Sequence, residues 1–141
     1  MSIVQGQCTI FKQNCLSALE NFAVGTPYTY KIALYTASAT LNETTLAYTS
    51  VGEVVGTGYT AGGKVLTISQ VPTSSGYTAY VSFANVIWNP ASFTTRGALI
   101  YNSTTGAAVA VLNFGADKTP TTSFTVTFPT ATSTTSILRI S

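Results

Sequence analysis

The alternation of apolar and polar positions is clearest over residues 96–114, RGALIYNSTTGAAVAVLNF. One arm, Ala98-Leu99-Ile100-Tyr101, and a second, Ala107-Ala108-Val109-Ala110-Val111-Leu112, are apolar on both alternating faces, the pattern of strands covered on two sides. Between them, Asn102-Ser103-Thr104-Thr105-Gly106 is rich in turn residues and ends in a glycine free to take positive φ. The expectation is an antiparallel hairpin of two central strands.

Shorter alternations surround it. Residues 28–36 set Tyr28, Tyr30, Ile32 and Leu34 against Thr29, Lys31, Ala33 and Tyr35, a strand with one apolar face. Residues 64–71, 77–83 and 123–128 alternate in the same way, the second placing Tyr77, Ala79, Val81 and Phe83 on its apolar side. Val86-Ile87-Trp88 follows, residues 51–55 form a short candidate strand, and residues 137–140 a last one. Residues 56–63 read as a glycine-rich loop; 72–76, 89–90 and 115–120 read as turns. A helical period appears in residues 9–22, TIFKQNCLSALENF, where Phe11, Cys15, Ala18, Leu19 and Phe22 share one stripe. Gly25 and Pro27 are its expected stop. A helix of about 14 residues is marginal alone in water, so it must pack on its own sheet or on a neighbouring subunit.

About eight short strands at regular intervals, with Gly, Pro, Ser and Thr between them, predict a mainly β fold. It is an antiparallel β-sandwich, or jelly-roll-like, with one N-terminal α-helix. One domain covers residues 1–141, divided into an N-terminal arm (1–8), the helix (9–22) and the strands (28–141). At 141 residues the chain is long enough to bury about 70 % of its unfolded surface without a staple.

Composition changes the picture at the surface. Only 7 % of residues are charged while 45 % are hydrophobic, where an ordinary soluble domain carries about 25 % charge. The 26 threonines and 14 serines fill the gap, so hydroxyls must cover the solvent faces, and Thr suits strands. With few charges to guard edges and surfaces against association, the expected setting is an assembly, as a homo-oligomer or multicopy array. The six bases, Lys12, Lys31, Lys64, Arg96, Lys118 and Arg139, form no cluster, which argues against nucleic acid as a partner. No basic-then-apolar leader and no long apolar run is visible, so neither export nor a membrane partner is expected.

Catalytic chemistry finds few residues to use. The chain has no His, and its four acids, Glu20, Glu43, Glu53 and Asp117, are scattered, so neither paired carboxylates nor a His-activated nucleophile is expected, and no enzyme is read. Cys8 and Cys15 are seven apart, about 10 Å along one helix, too far for a disulfide and too few for a structural zinc. Buried free thiols, no metal and no cofactor are expected. Residues 58–64, GYTAGGK, formally spell GxxxxGK, but Val65 follows instead of Ser or Thr and the next segment alternates like a strand. A glycine-rich β-turn is expected there. Among the aromatics, Tyr35, Tyr48, Tyr59 and Tyr80 are left over after the apolar faces are filled. Tyr35, Tyr59 and Tyr80 are therefore candidates for a sugar- or host-surface-binding platform.

Four runs carry a resemblance: Tyr30 to Thr36 (YKIALYT), Gly56 to Gly63 (GTGYTAGG), Trp88 followed by Thr95 to Asn102 (TRGALIYN), and Ala108 to Gly115 (AVAVLNFG). In that order they resemble a small β-rich virion structural protein of tailed bacteriophages, over a span from about Phe11 to the C-terminus. The resemblance implies a capsid decoration or cement protein bound to the major capsid protein, or else a tail, neck or fibre component. It implies localisation in the virion after synthesis in the host cytoplasm, and no catalytic residues. At Asn85 and Asn113 this chain has amides where the family pattern has acids, so no metal role is carried over. Residues expected to meet a partner are Ile3 and Val4 on the arm, used as a strap, Phe11 and Leu19 on the helix, and Tyr35, Tyr59 and Tyr80.

Overall fold

The computed structural model describes residues 2–141. In chain order the elements are β1 (Gly6–Gln7), α1 (Thr9–Leu16), β2 (Tyr30–Tyr35), β3 (Lys64–Val65), β4 (Ile68–Ser75), β5 (Thr78–Phe83), β6 (Val86–Trp88), β7 (Thr95–Asn102), β8 (Ala108–Lys118), β9 (Phe124–Val126) and β10 (Leu138–Ile140). A five-stranded sheet runs β1-β8-β7-β2-β3, a three-stranded sheet β10-β5-β4, and β6 pairs with β9. All the pairings between these strands are antiparallel. The fold is therefore mainly β and sandwich-like, with one N-terminal helix.

The hairpin read from the apolar runs sits where expected. β7 and β8 pair from Thr95↔Lys118 to Tyr101↔Ala108, with β2 on the far side of β7. Leu99, Ile100, Val109 and Val111 are fully buried. Gly106 takes φ 84° in the connecting turn, where Asn102 holds the chain: its Oδ1 accepts from the Thr104 and Thr105 N–H groups, and its own C=O accepts from Gly106 N–H. Strand β2 differs from expectation, for Ala33 and Tyr35 are buried as well as Ile32 and Leu34. A central strand has both faces covered, and the glycine-rich loop closes on its edge where β3 begins: a Cβ on Gly63 would lie 1.8 Å from the Ile32 carbonyl oxygen.

The helix is shorter than its stripe. It ends at Leu16, and Ala18 turns left-handed at φ 58°. Leu19 N–H then bonds Asn14 C=O and Ala18 N–H bonds Cys15 C=O, the two reversed bonds of a Schellman cap, made with alanine where glycine is usual. Phe11 anchors α1 in its own core, with its ring 5.9 Å from Phe22, which in turn stacks on Tyr30 at 4.3 Å. The helix thus packs on its own domain, while Leu16, at its end, is 92 % exposed.

Other boundaries also shift. β4 continues past Pro72 to Ser75, so the turn lies at Gly76-Tyr77, and Tyr77 is 100 % exposed instead of facing the core. β8 continues to Lys118 through residues expected to turn, with Gly115 at φ 81° as the irregular step. Residues 51–55 contribute a single bridge, Glu53 to Tyr35, and no strand. The N-terminal arm is pinned in the fold, not free: Ile3 bridges Leu41, and β1 pairs with β8 at Gly6↔Val111. Met1 of that arm lies outside the described residues.

Candidate functional site

The most polar interior cluster gathers under the glycine-rich loop. Glu53 is buried, and its two oxygens accept from Tyr48 Oη at 2.6 Å, from Tyr59 Oη and from Gly62 N–H at 2.8 Å. Tyr59 Oη accepts Leu34 N–H, Tyr101 Oη donates to Gly62 C=O and Tyr35 Oη donates to Thr49 C=O. Burial first, then the hydrogen bond to Glu53, pushes the Tyr48 and Tyr59 phenols far above their ordinary range. Burial with the Glu53 charge raises Tyr35 and Tyr101. Phenols held so high stay protonated and donate, so the cluster works as a strut that ties loop to sheet.

The same close packing explains the glycines of the phosphate-loop look-alike. Gly58, at φ 89°, leaves its would-be Cβ 1.8 Å from the Pro90 carbonyl oxygen, and Gly63 meets β2 as described. Lys64 opens a strand and not a helix. Its ammonium donates to Ile87 C=O at 2.6 Å and sits over the Trp88 ring.

The remaining reactive groups are separated or occupied. Asp117 lies 3.5 Å from Arg96. Glu20 accepts from Asn102 Nδ2 at 2.8 Å and faces Tyr30 Oη; burial raises its carboxyl, against the lowering effect of those two bonds. Both cysteines are free. Burial above all, then Glu43, pushes the Cys8 thiol up to about 11, with Lys12 opposing; burial and Glu20 raise Cys15. Thiols so raised are poor nucleophiles at neutral pH. Among the described residues no group of three His, Cys, Asp or Glu side chains could hold a metal ion, and no helix is long and apolar enough to cross a membrane. Asn85 and Asn113 bond the main chain instead, at Phe128 N–H, Ile3 C=O and Gly115 N–H. Asn102, in a sequon, is fully buried.

What the surface offers is apolar contact. Of the residues read as partner-facing, Ile3, Phe11 and Tyr35 belong to the chain's own core, which corrects their assignment: their side chains fill the space beneath the arm, the helix and the second face of β2. Tyr59 is taken up by Glu53. Tyr80, half-buried, lines an apolar groove whose floor includes Phe11, Phe22 and Leu138. Tyr35, Tyr59 and Tyr80 therefore form no common platform. Val4 and Leu19 are about half exposed.

The structure adds residues the stripe did not select. The Tyr80 groove continues through Cys15, Arg139 and Ile140 into a wider cleft of about 590 Å³, bounded also by Gln7, Lys12 and Leu16. Leu16 falls off the helical stripe, and a leucine off its stripe was the signal in the sequence. The second addition is the β4–β5 hairpin. No charged residue occurs between Lys64 and Arg96, and residues 71–77 are exposed along their whole length. The outer edge of β4 is protected by two register shifts with Pro72 inside the second, devices that discourage further strand pairing.

Comparison with protein-family models, with curated proteins and with solved structures finds no match.

Proposed function

We propose that this chain is a non-enzymatic structural protein that works in many copies within a larger assembly. The observation that carries this reading is its exterior. Among the described residues twelve large apolar side chains are exposed, Tyr77 at a hairpin tip and Leu16 at a cleft among them, on a chain with six basic and four acidic residues. Monomer surfaces are ordinarily guarded by charge. The buried acid Glu53, by contrast, is engaged as a strut.

Within that class, the particular reading is a virion protein of a tailed bacteriophage, first of all a capsid decoration or cement protein that binds the major capsid protein. Support comes from the four runs that resemble such proteins. They fall on β2, on the glycine-rich loop packed against it, on β6 with β7, and on β8, so the likeness lies in the elements that define the core. A protein of this kind binds only the assembled shell and stabilises it by mass action. A sugar-binding role loses its motivation, because its three tyrosines do not share a surface.

The test is the stoichiometry of this chain against the major shell protein in purified particles, by quantitative mass spectrometry. A ratio near one or a simple fraction supports decoration. A handful of copies moves the chain to the tail, neck or fibre, and absence from particles overturns the virion reading.

A further inference from the structure

We propose that the cleft between α1 and β10 receives an acidic segment of the major shell protein, seated by one apolar side chain. Lys12, Cys15 and Leu16 are three and four residues apart on α1 and so share one side of the helix. β10 contributes Arg139 and Ile140 to the same cleft, whose volume is about 590 Å³. Through Cys15, Arg139 and Ile140 the cleft runs into the Tyr80 groove, floored by Phe11, Phe22, Val81 and Leu138. At about 100 Å³ that groove has room for a single apolar side chain.

Charge selects the occupant. Two of the chain's six bases line this cleft, and none of its four acids lines either the cleft or the groove. Among the described residues neither Lys12 nor Arg139 is in an ion pair; the recorded pair is Arg96 with Asp117. Arg139 gives one guanidinium N–H to Thr134 C=O and keeps others to donate. Ser141 lines the cleft as well, and no ion pair ties it to either base. Two cations beside an apolar groove complement carboxylates that flank an apolar residue, whereas a basic or uncharged segment would leave both without a counter-charge. A second copy of this chain offers less. Glu20 and Glu53 are held by internal hydrogen bonds and Asp117 by Arg96, which leaves Glu43 alone to meet two bases.

The choice of the shell protein rests on the virion reading, and two arms of one experiment let the cleft and that reading fail separately. The full chain is co-sedimented with empty shells of the major capsid protein, and it is also titrated with a synthetic peptide of alternating aspartate and leucine while amide NMR shifts are followed. Lys12→Glu and Arg139→Gln should each weaken shell binding about tenfold, and high salt should weaken it in the wild type. Lys118→Glu, the same charge change outside the cleft, should leave it unchanged. Ala79→Trp fills the groove and should lower binding with every charge in place. All four positions are exposed, so the circular dichroism spectra should match the wild type. The peptide should shift the amides of Leu16 and Ile140. Shell binding indifferent to Lys12→Glu and Ala79→Trp overturns the cleft and leaves the virion reading standing. Self-association of the wild type that these two variants abolish, with shell binding kept, gives the cleft to a second copy and overturns the proposal as well. Peptide shifts at the cleft without shell binding sink the virion reading, and the shell as occupant, while the chemistry of the cleft holds; neither shifts nor shell binding overturns both.

Discussion

Two hairpins built from similar residues meet opposite fates in this molecule. The β7–β8 hairpin lies between β1 and β2 in the five-stranded sheet, with residues Gly97 to Asn102 and Ala108 to Leu112 buried. The β4–β5 hairpin stands at the edge of the smaller sheet, and from Val71 to Tyr77 it faces solvent. Both are uncharged over most of their length, so charge does not separate them. The difference lies in the pattern: β7 and β8 are apolar at successive positions and need cover on both faces, whereas β4 is mostly Ser, Gln, Thr and Pro and can stay in solvent, and β5 sets Thr78, Tyr80 and Ser82 against Ala79, Val81 and Phe83. In this protein the doubly covered hairpin supplies stability, and the open one supplies surface.

The comparison breaks most sharply at Val111. Val111→Asp places an unpaired charge at a fully buried position, which costs several kcal/mol, on the order of a domain's whole stability. Insoluble or unfolded protein is expected; a folded, soluble variant would refute the central role of β8. Next comes the close approach at the edge of β2. Gly63→Ala forces a Cβ against the Ile32 carbonyl at φ 79° and should lower stability by about 3 kcal/mol, read as a fall in the urea midpoint.

At the tip of the buried hairpin, Asn102→Ala removes two turn bonds and the bond to Glu20, for an expected loss of about 2 kcal/mol by chemical denaturation. Its partner adds a pH dependence. The Glu20 carboxyl is raised in the folded chain by burial, so the native state holds that proton more tightly than the unfolded one. Stability linked to Glu20 is fully present below its unfolded pKa and is lost as pH rises through the folded value. Relative to Glu20→Gln, the wild type should therefore gain urea resistance when acidified from neutral pH, and parallel pH profiles would contradict this. The smallest effect belongs to the open hairpin: Tyr77→Ala, at a fully exposed tip, should change stability by no more than about 0.5 kcal/mol. Particle binding of that variant, measured by co-sedimentation, should fall if the open hairpin is an assembly surface.

The sequence by itself determined the class of fold, the central hairpin with its glycine-ended turn, and the position of the helix. These are short-range matters: strand and helix periods are set by which side chains must leave water, and Val109, Val111, Leu99 and Phe11 declare that without help from distant residues. It also implied a contact-forming exterior through the shortage of charge. Only the tertiary structure decided where the helix stops, because Ala18 adopts the left-handed cap without the glycine that would have announced it. It alone placed Tyr77 in solvent and Tyr35 in the core, since alternation tells which residues share a side of a strand but not which side receives a cover. It likewise gathered Glu53 with Tyr48, Tyr59 and Gly62, and set Leu16 of the helix beside Arg139 of the last strand. Those are agreements between segments far apart in the chain, and they come into being only when the sheets close on a common core.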